Sequence, residues 1–162
     1  MSATDALADA VGETGDLFLR YVAGFDDSNA TRQAEGLPNH LIWTLGHLSL
    51  YLHRAAELLL DREIEMSWDP EPFAFGSEPA DDPDQYPPLA TMLELFRSGI
   101  ARLADAVREA GGGGLDRMVK WGPLGNISAR DLVLRMVFHN GTHCGQIVDL
   151  RRRLGLGRVL GP

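Results

Sequence analysis

The chain has 162 residues, 44% of them apolar, which fits one domain with a sizeable core and gives no reason to divide it. A net charge of -8, with Arg151-Arg152-Arg153 as the one basic cluster, disfavours nucleic acid, whose phosphates need a positive field. Cys144 is the single cysteine, so no internal disulfide can form and a cytoplasmic location is the default.

No basic segment followed by an apolar run opens the chain, so no signal peptide is expected. The most apolar stretch, Leu37 to Leu60, is interrupted by His40, His47, His53 and Arg54, which argues against a membrane span.

Residues 5–23 carry Leu7, Val11, Leu17, Phe18, Tyr21 and Val22 at helical spacing and read as a first helix, weakened by Gly12 and Gly15. A second helix starts near Pro38-Asn39, with proline in its first turn or asparagine as its cap, and runs to about Leu60. Segment 61–87 holds Pro70, Pro72, Pro79, Pro83 and Pro87 and cannot continue a helix. Its aromatic residues, Trp68, Phe73, Phe75 and Tyr86, predict a docked crossover or lid in place of a free linker. A third helix covers about Pro88 to Ala110, striped by Leu89, Met92, Leu93, Phe96, Ile100, Leu103 and Val107, and Gly111 to Gly114 is expected to end it. The fourth runs from a Ser128 cap to about Leu154. Asp131 is placed to return the capping bond and Ile127 to pack on Leu132.

No window alternates as strands do, so the fold class is all-α, a four-helix bundle. A parallel helix pair needs a connection that runs back along the bundle, and 61–87 is long enough to do so. The expected topology is therefore up-down-down-up, with the long crossover between the parallel second and third helices.

The fourth helix carries His139 and His143 four residues apart, so both rings share one face. At ~100° per residue, that face also holds Leu132, Met136, Gln146, Ile147, Leu150 and Leu154. Imidazoles among aliphatic side chains need a partner for each ring nitrogen, and a divalent metal satisfies two at once. From the second helix, His47 can supply a third ring, leaving an open position of the kind catalytic sites keep. His40 lies two turns from His47, too far for the same ion, and His53 points away as a surface or packing residue. Trp43, Tyr51 and Arg54 fall on the side of His47 and either line a cavity or are core aromatics beside a solvated arginine. Gln146 either orients a ring from behind or sits at the bundle's edge. No carboxylate falls on the ligand face of either motif, so no general base is evident.

Pro38-Asn-His-Leu-Ile-Trp43-Thr-Leu-Gly-His47, together with Ser128 to Gln146 and its His-x-x-x-His-x-Gly-Gln pattern, resembles the DinB-like superfamily over nearly the whole chain. The resemblance implies a four-helix bundle holding a divalent ion, often zinc or nickel, on three histidines, here His47, His139 and His143. It also implies, for some relatives, thiol S-transfer or isomerisation with a low-molecular-weight thiol. Hydrolysis is the second expectation, and a non-catalytic metal- or ligand-binding dimer the third.

The far side of the fourth helix adds a strip of Leu134, Val137, Cys144 and Val148 beside Gly141 and Gly145. Each mid-helix glycine costs up to ~1 kcal/mol against alanine. Close helix approach, across a homodimer or against another part of the chain such as 61–87, would offset that cost. Cys144 projects away from His139 and is assigned neither as ligand nor as nucleophile.

Overall fold

A computed structural model describes residues 2–160, apart from the Pro123 side chain. Four helices dominate: α1 (Ala3–Tyr21), α2 (Leu41–Leu60), α3 (Leu89–Leu115) and α4 (Ala129–Arg153). Two three-residue strands, β1 (Met118–Lys120) and β2 (Asn126–Ser128), form an antiparallel hairpin before α4, pairing Met118 with Ser128 and Lys120 with Asn126. The hairpin corrects the expectation of no strands. Three residues per strand are too few to show alternation, and Val119 alone is buried while its neighbours are exposed.

Helix starts follow capping chemistry. The Ser2 hydroxyl accepts the Asp5 amide in a reciprocal box that opens α1, and Ser128 accepts the Asp131 amide at α4. Helix α2 is capped by His40, whose Nδ1 accepts the Trp43 amide at 3.1 Å, and neither Pro38 nor Asn39 serves. The first amide of α3 is taken by the Asp27 carboxylate at 2.7 Å, from the loop after α1. Gly111, with φ of 60°, kinks α3 where the glycine run was expected to end it, and one further turn reaches Leu115.

Named contacts fix the helix directions. Ser49 and Leu52 of α2 face Gly99 of α3, Arg62 meets Glu109, and Arg117 donates to the carbonyls of Leu58 and Leu59, so α2 and α3 run parallel. Phe18 meets Phe96 and Asp9 meets Arg108, making α1 antiparallel to α3. Asn140 reaches Thr14 and Arg151 reaches the Tyr21 carbonyl, making α1 and α4 parallel. The bundle is up-down-down-up, and the crossover returns the chain along its length. Its core is built from side chains such as Phe18, Leu45, Phe96, Leu103 and Leu132, all essentially inaccessible.

The crossover is docked. Phe73 is buried, and Trp68 and Tyr86 are half-buried, whereas Phe75 is 89% exposed. The Phe73 ring lies directly on Gly46, where any Cβ would overlap it. At the other end, the buried Arg151 donates to the carbonyls of Tyr21, Ala23, Leu156 and Gly157, and Arg152 pairs with Asp149 at 3.0 Å. Two members of the arginine cluster are thus spent within the fold. Among the described residues, no helix is long and apolar enough to cross a membrane.

Candidate metal centre

Antiparallel packing of α2 against α4 brings His47 opposite His139 and His143. The Nε2 atoms of His47 and His139 stand 3.2 Å apart, and those of His143 and His139 stand 3.1 Å apart. Tetrahedral nitrogen ligands at about 2.0–2.1 Å from zinc would stand about 3.3–3.4 Å from one another. These three residues are the His/Cys/Asp/Glu grouping, among the described residues, whose ligand atoms all lie within 4.8 Å and could hold a metal ion.

Each ring is held by different means. His47 is buried, and its Nδ1 meets the Phe73 carbonyl at 2.9 Å, which requires a proton on Nδ1 and leaves the Nε2 lone pair free. The Trp43 indole stacks on the His47 ring at 4.5 Å and 18°, and its Nε1 donates to the Ser77 hydroxyl at 3.0 Å. Ser77 also donates toward the Pro72 and Ala74 carbonyls, so the same crossover turn braces both the ring and its neighbour.

His143 is buried with its Nδ1 lacking a partner in hydrogen-bonding geometry, and Gln146 Oε1 is likewise buried and unpaired. A hydrogen-bonding influence of Gln146 nevertheless raises the His143 pKa against the larger opposing effects. The unpaired atoms are complementary in kind, an N–H donor and an amide oxygen, three residues apart on the same helix. His139, half-buried, faces the open side of the group.

Burial keeps all three imidazoles neutral, the form that binds metal. Desolvation lowers His47 despite the opposing Phe73 bond, lowers His139 to about 4 with help from His47, and lowers His143 to about 3 with help from both other rings.

In front of His47 and His139 opens a cleft of about 750 Å³. Tyr51 and Arg54 line it, one of the two places the sequence left open for them; Trp43 stacks on His47 and does not line the cleft. Sequence reasoning missed Lys120 and Trp121 on the hairpin, Phe75 on the crossover, and Arg135 and Phe138 on α4. Arg135 was within reach, since it lies one turn before His139 on the same face. Hairpin and crossover residues carried no comparable spacing signal. One carboxylate lines the cleft, that of Glu57, but it accepts the Ile64 amide at 3.0 Å and lies 3.6 Å from His53. His53 proves to be a buried packing residue, bonded to the Ile64 carbonyl at 2.7 Å.

The strip on the far side of α4 is covered only in part: Cys144 is buried in the core and Val137 packs against it, while the glycines and Leu134 stay open. A Cβ at Gly141 or Gly145 would meet nothing within 4 Å, and Leu134 is 50% exposed. Segment 61–87 packs on α2 instead, through Phe73 and Gly46, so it does not cover the glycines as one expectation had it.

A four-helix up-down-down-up bundle with three inward histidines on α2 and α4 defines the class of protein. The family model described as the DinB superfamily matches residues 10–147, and the chain belongs to that superfamily. A search of curated proteins returned no match. Among solved structures, a conserved protein from Enterococcus faecalis is similar, with a TM-score of 0.75 and 13% identity, covering 96% of this chain and 99% of that one. At that identity the likeness speaks for the fold alone.

Proposed function

We propose that the protein is a metal-dependent enzyme, with a divalent zinc or nickel ion held by His47, His139 and His143. The convergence of three neutral Nε2 atoms, with His47 and His139 lining an open cleft and His143 buried behind them, carries this reading. A bound ion supplies Lewis acidity toward a thiol or water. The chain's own contribution is to orient the ligands and shape the cleft. Phe73 fixes the His47 tautomer, Trp43 holds its ring plane, and Gln146 steadies His143. Tyr51, with its ring 5.8 Å from that of His139, and Trp121, 5.9 Å from Tyr51, form an aromatic wall that limits water at the floor.

Thiol S-transfer, with a low-molecular-weight thiol as co-substrate, is the reaction we favour, and hydrolysis the second. The test is thiol consumption against soft electrophiles by metal-loaded protein, compared with ester and amide hydrolysis. Transfer that disappears in His143→Ala, with helicity retained, supports the reading. Absence of both activities over a broad substrate panel favours a non-catalytic metal- or ligand-binding bundle. One observation supports that alternative: Glu57, the carboxylate on the cleft wall, is engaged with Ile64 and His53 and lies far along α2 from the rings. Homodimerisation through Leu134, Val137, Gly141, Gly145 and Val148 is part of the proposal, since Leu134 and both glycines stay open within the chain.

A further inference from the structure

The cleft carries a charge pattern opposite to that of the protein. In a chain of net charge -8 with a single lysine, that lysine, Lys120, lines the cleft together with Arg54 and Arg135. Glu57 is the one acidic residue on the same wall, and the Ile64 amide and His53 already occupy it. Some arginines elsewhere are matched, Arg62 with Glu109, Arg108 with Asp9 and Arg130 with Asp116, so what sets the cleft apart is three cations gathered around one apolar space. Among the described residues, no carboxylate pairs with Arg54, Lys120 or Arg135, and the Arg54 guanidinium lies 5.5 Å over the Tyr51 ring.

Between these cations the walls are apolar. Tyr51, Trp121, Phe75, Phe138, Leu124 and Met136 surround the space, with Phe75 and Phe138 77–89% exposed at the mouth. Large aromatics left that open beside unpaired cations mark a recognition surface rather than a solvated rim. The antiparallel packing of α2 and α4 also sets the cations at a defined depth. Arg135 lies four residues before His139, and Arg54 seven after His47, so both fall toward the same end of the cleft.

We propose that the cleft selects an amphipathic organic anion, with an aromatic or aliphatic body between the apolar walls and its acidic group about 6–10 Å along the helix axes from the histidines. The body is desolvated against Tyr51, Trp121 and Phe138, while the acidic group meets Arg135, Arg54 and Lys120 at the end where water remains. This rests on the reading of the cleft as the substrate site of the metal centre, and it names the chemical class of that substrate. Substrates with a cationic or uncharged tail are discriminated against by the same three side chains.

Fluorescence titration of the whole chain with 1-anilinonaphthalene-8-sulfonate, and with its uncharged analogue N-phenyl-1-naphthylamine, tests the proposal. The sulfonate probe is expected to bind once per chain and at least about tenfold more tightly than the uncharged one. The combined variant Arg54→Gln, Lys120→Gln, Arg135→Gln is expected to lose that preference while keeping its far-ultraviolet circular dichroism and its metal content. Equal affinity for the two probes, or a preference that survives the triple substitution, overturns the proposal. Metal content assayed on the same samples separates the two readings. Wild-type protein that prefers the anion but takes up no metal defeats the metal reading and leaves anion selection standing; protein that holds metal without the preference does the reverse.

Discussion

The Phe73 carbonyl accepts the Nδ1 proton of His47 at 2.9 Å while the Phe73 ring lies on Gly46, the residue just before that histidine. One crossover residue thus sets both the position and the tautomer of a candidate ligand. Gly46→Ala should lift Phe73 from α2 and loosen this bond. Overpacking of this kind typically costs about 1–3 kcal/mol, and losing an orienting partner weakens metal affinity about 10–100-fold. Urea denaturation and competitive metal titration check the two effects separately. An unchanged metal affinity would show that the carbonyl does not orient His47.

Acid should destabilise the protein through His40, which caps α2 through a neutral ring. Its Nδ1 accepts from Trp43 and its Nε2 faces the Ala80 carbonyl at 3.1 Å. Burial lowers its pKa from 6.5 to about 4. The unfolded chain therefore takes up the proton first as pH falls. The His40 contribution is full above pH 6.5, is lost on going down to about pH 4, and is constant below. The shift corresponds to about 3 kcal/mol as an order of magnitude. His40→Asn keeps a capping side chain but does not titrate. It should lessen, by the His40 share, the fall in unfolding free energy between about pH 7 and about pH 4.5, the remainder belonging to the lowered His47, His139 and His143, and a variant as acid-sensitive as the wild type would contradict this.

How far these features could be read in advance depended on where their cause lies. The bundle and the His139–His143 pair follow from local spacing, and the Ser128 cap from a local motif, so all three were visible. The α2 start was misplaced because His40 caps through Nδ1, a use of histidine that cap statistics do not favour, while Pro38 and Asn39 looked better suited. Gly111 was legible as a break, but whether one more helical turn follows is decided by packing of Leu115 in the core. The hold on His47 was invisible for a different reason: it comes from a backbone carbonyl, which no residue type announces. Lys120 and Trp121 reach the cleft only because a hairpin of two three-residue strands folds there, with no periodicity to mark it.

Cys144 should be inert. It is buried on the side of α4 away from the cleft, and desolvation pushes its thiol up to about 11. Native protein is expected to react with an aromatic disulfide reagent at neutral pH far more slowly than unfolded protein, and Cys144→Ala should keep its metal content. Rapid native labelling, or metal loss in the variant, would give the thiol a role that the geometry does not.

The open strip on α4 predicts a dimer. Sedimentation equilibrium should give twice the chain mass, and Leu134→Asp, at a half-exposed position, should yield a folded monomer. A wild-type monomer at high concentration would remove the strip's proposed task.

The most direct measurement is the metal content of protein purified without an affinity tag and dialysed free of loose ions. Close to one zinc or nickel per chain is expected, with near-complete loss of it in His143→Ala and helicity retained. Less than a few tenths of an equivalent in well-folded wild-type protein, both as purified and after incubation with zinc or nickel, would contradict it.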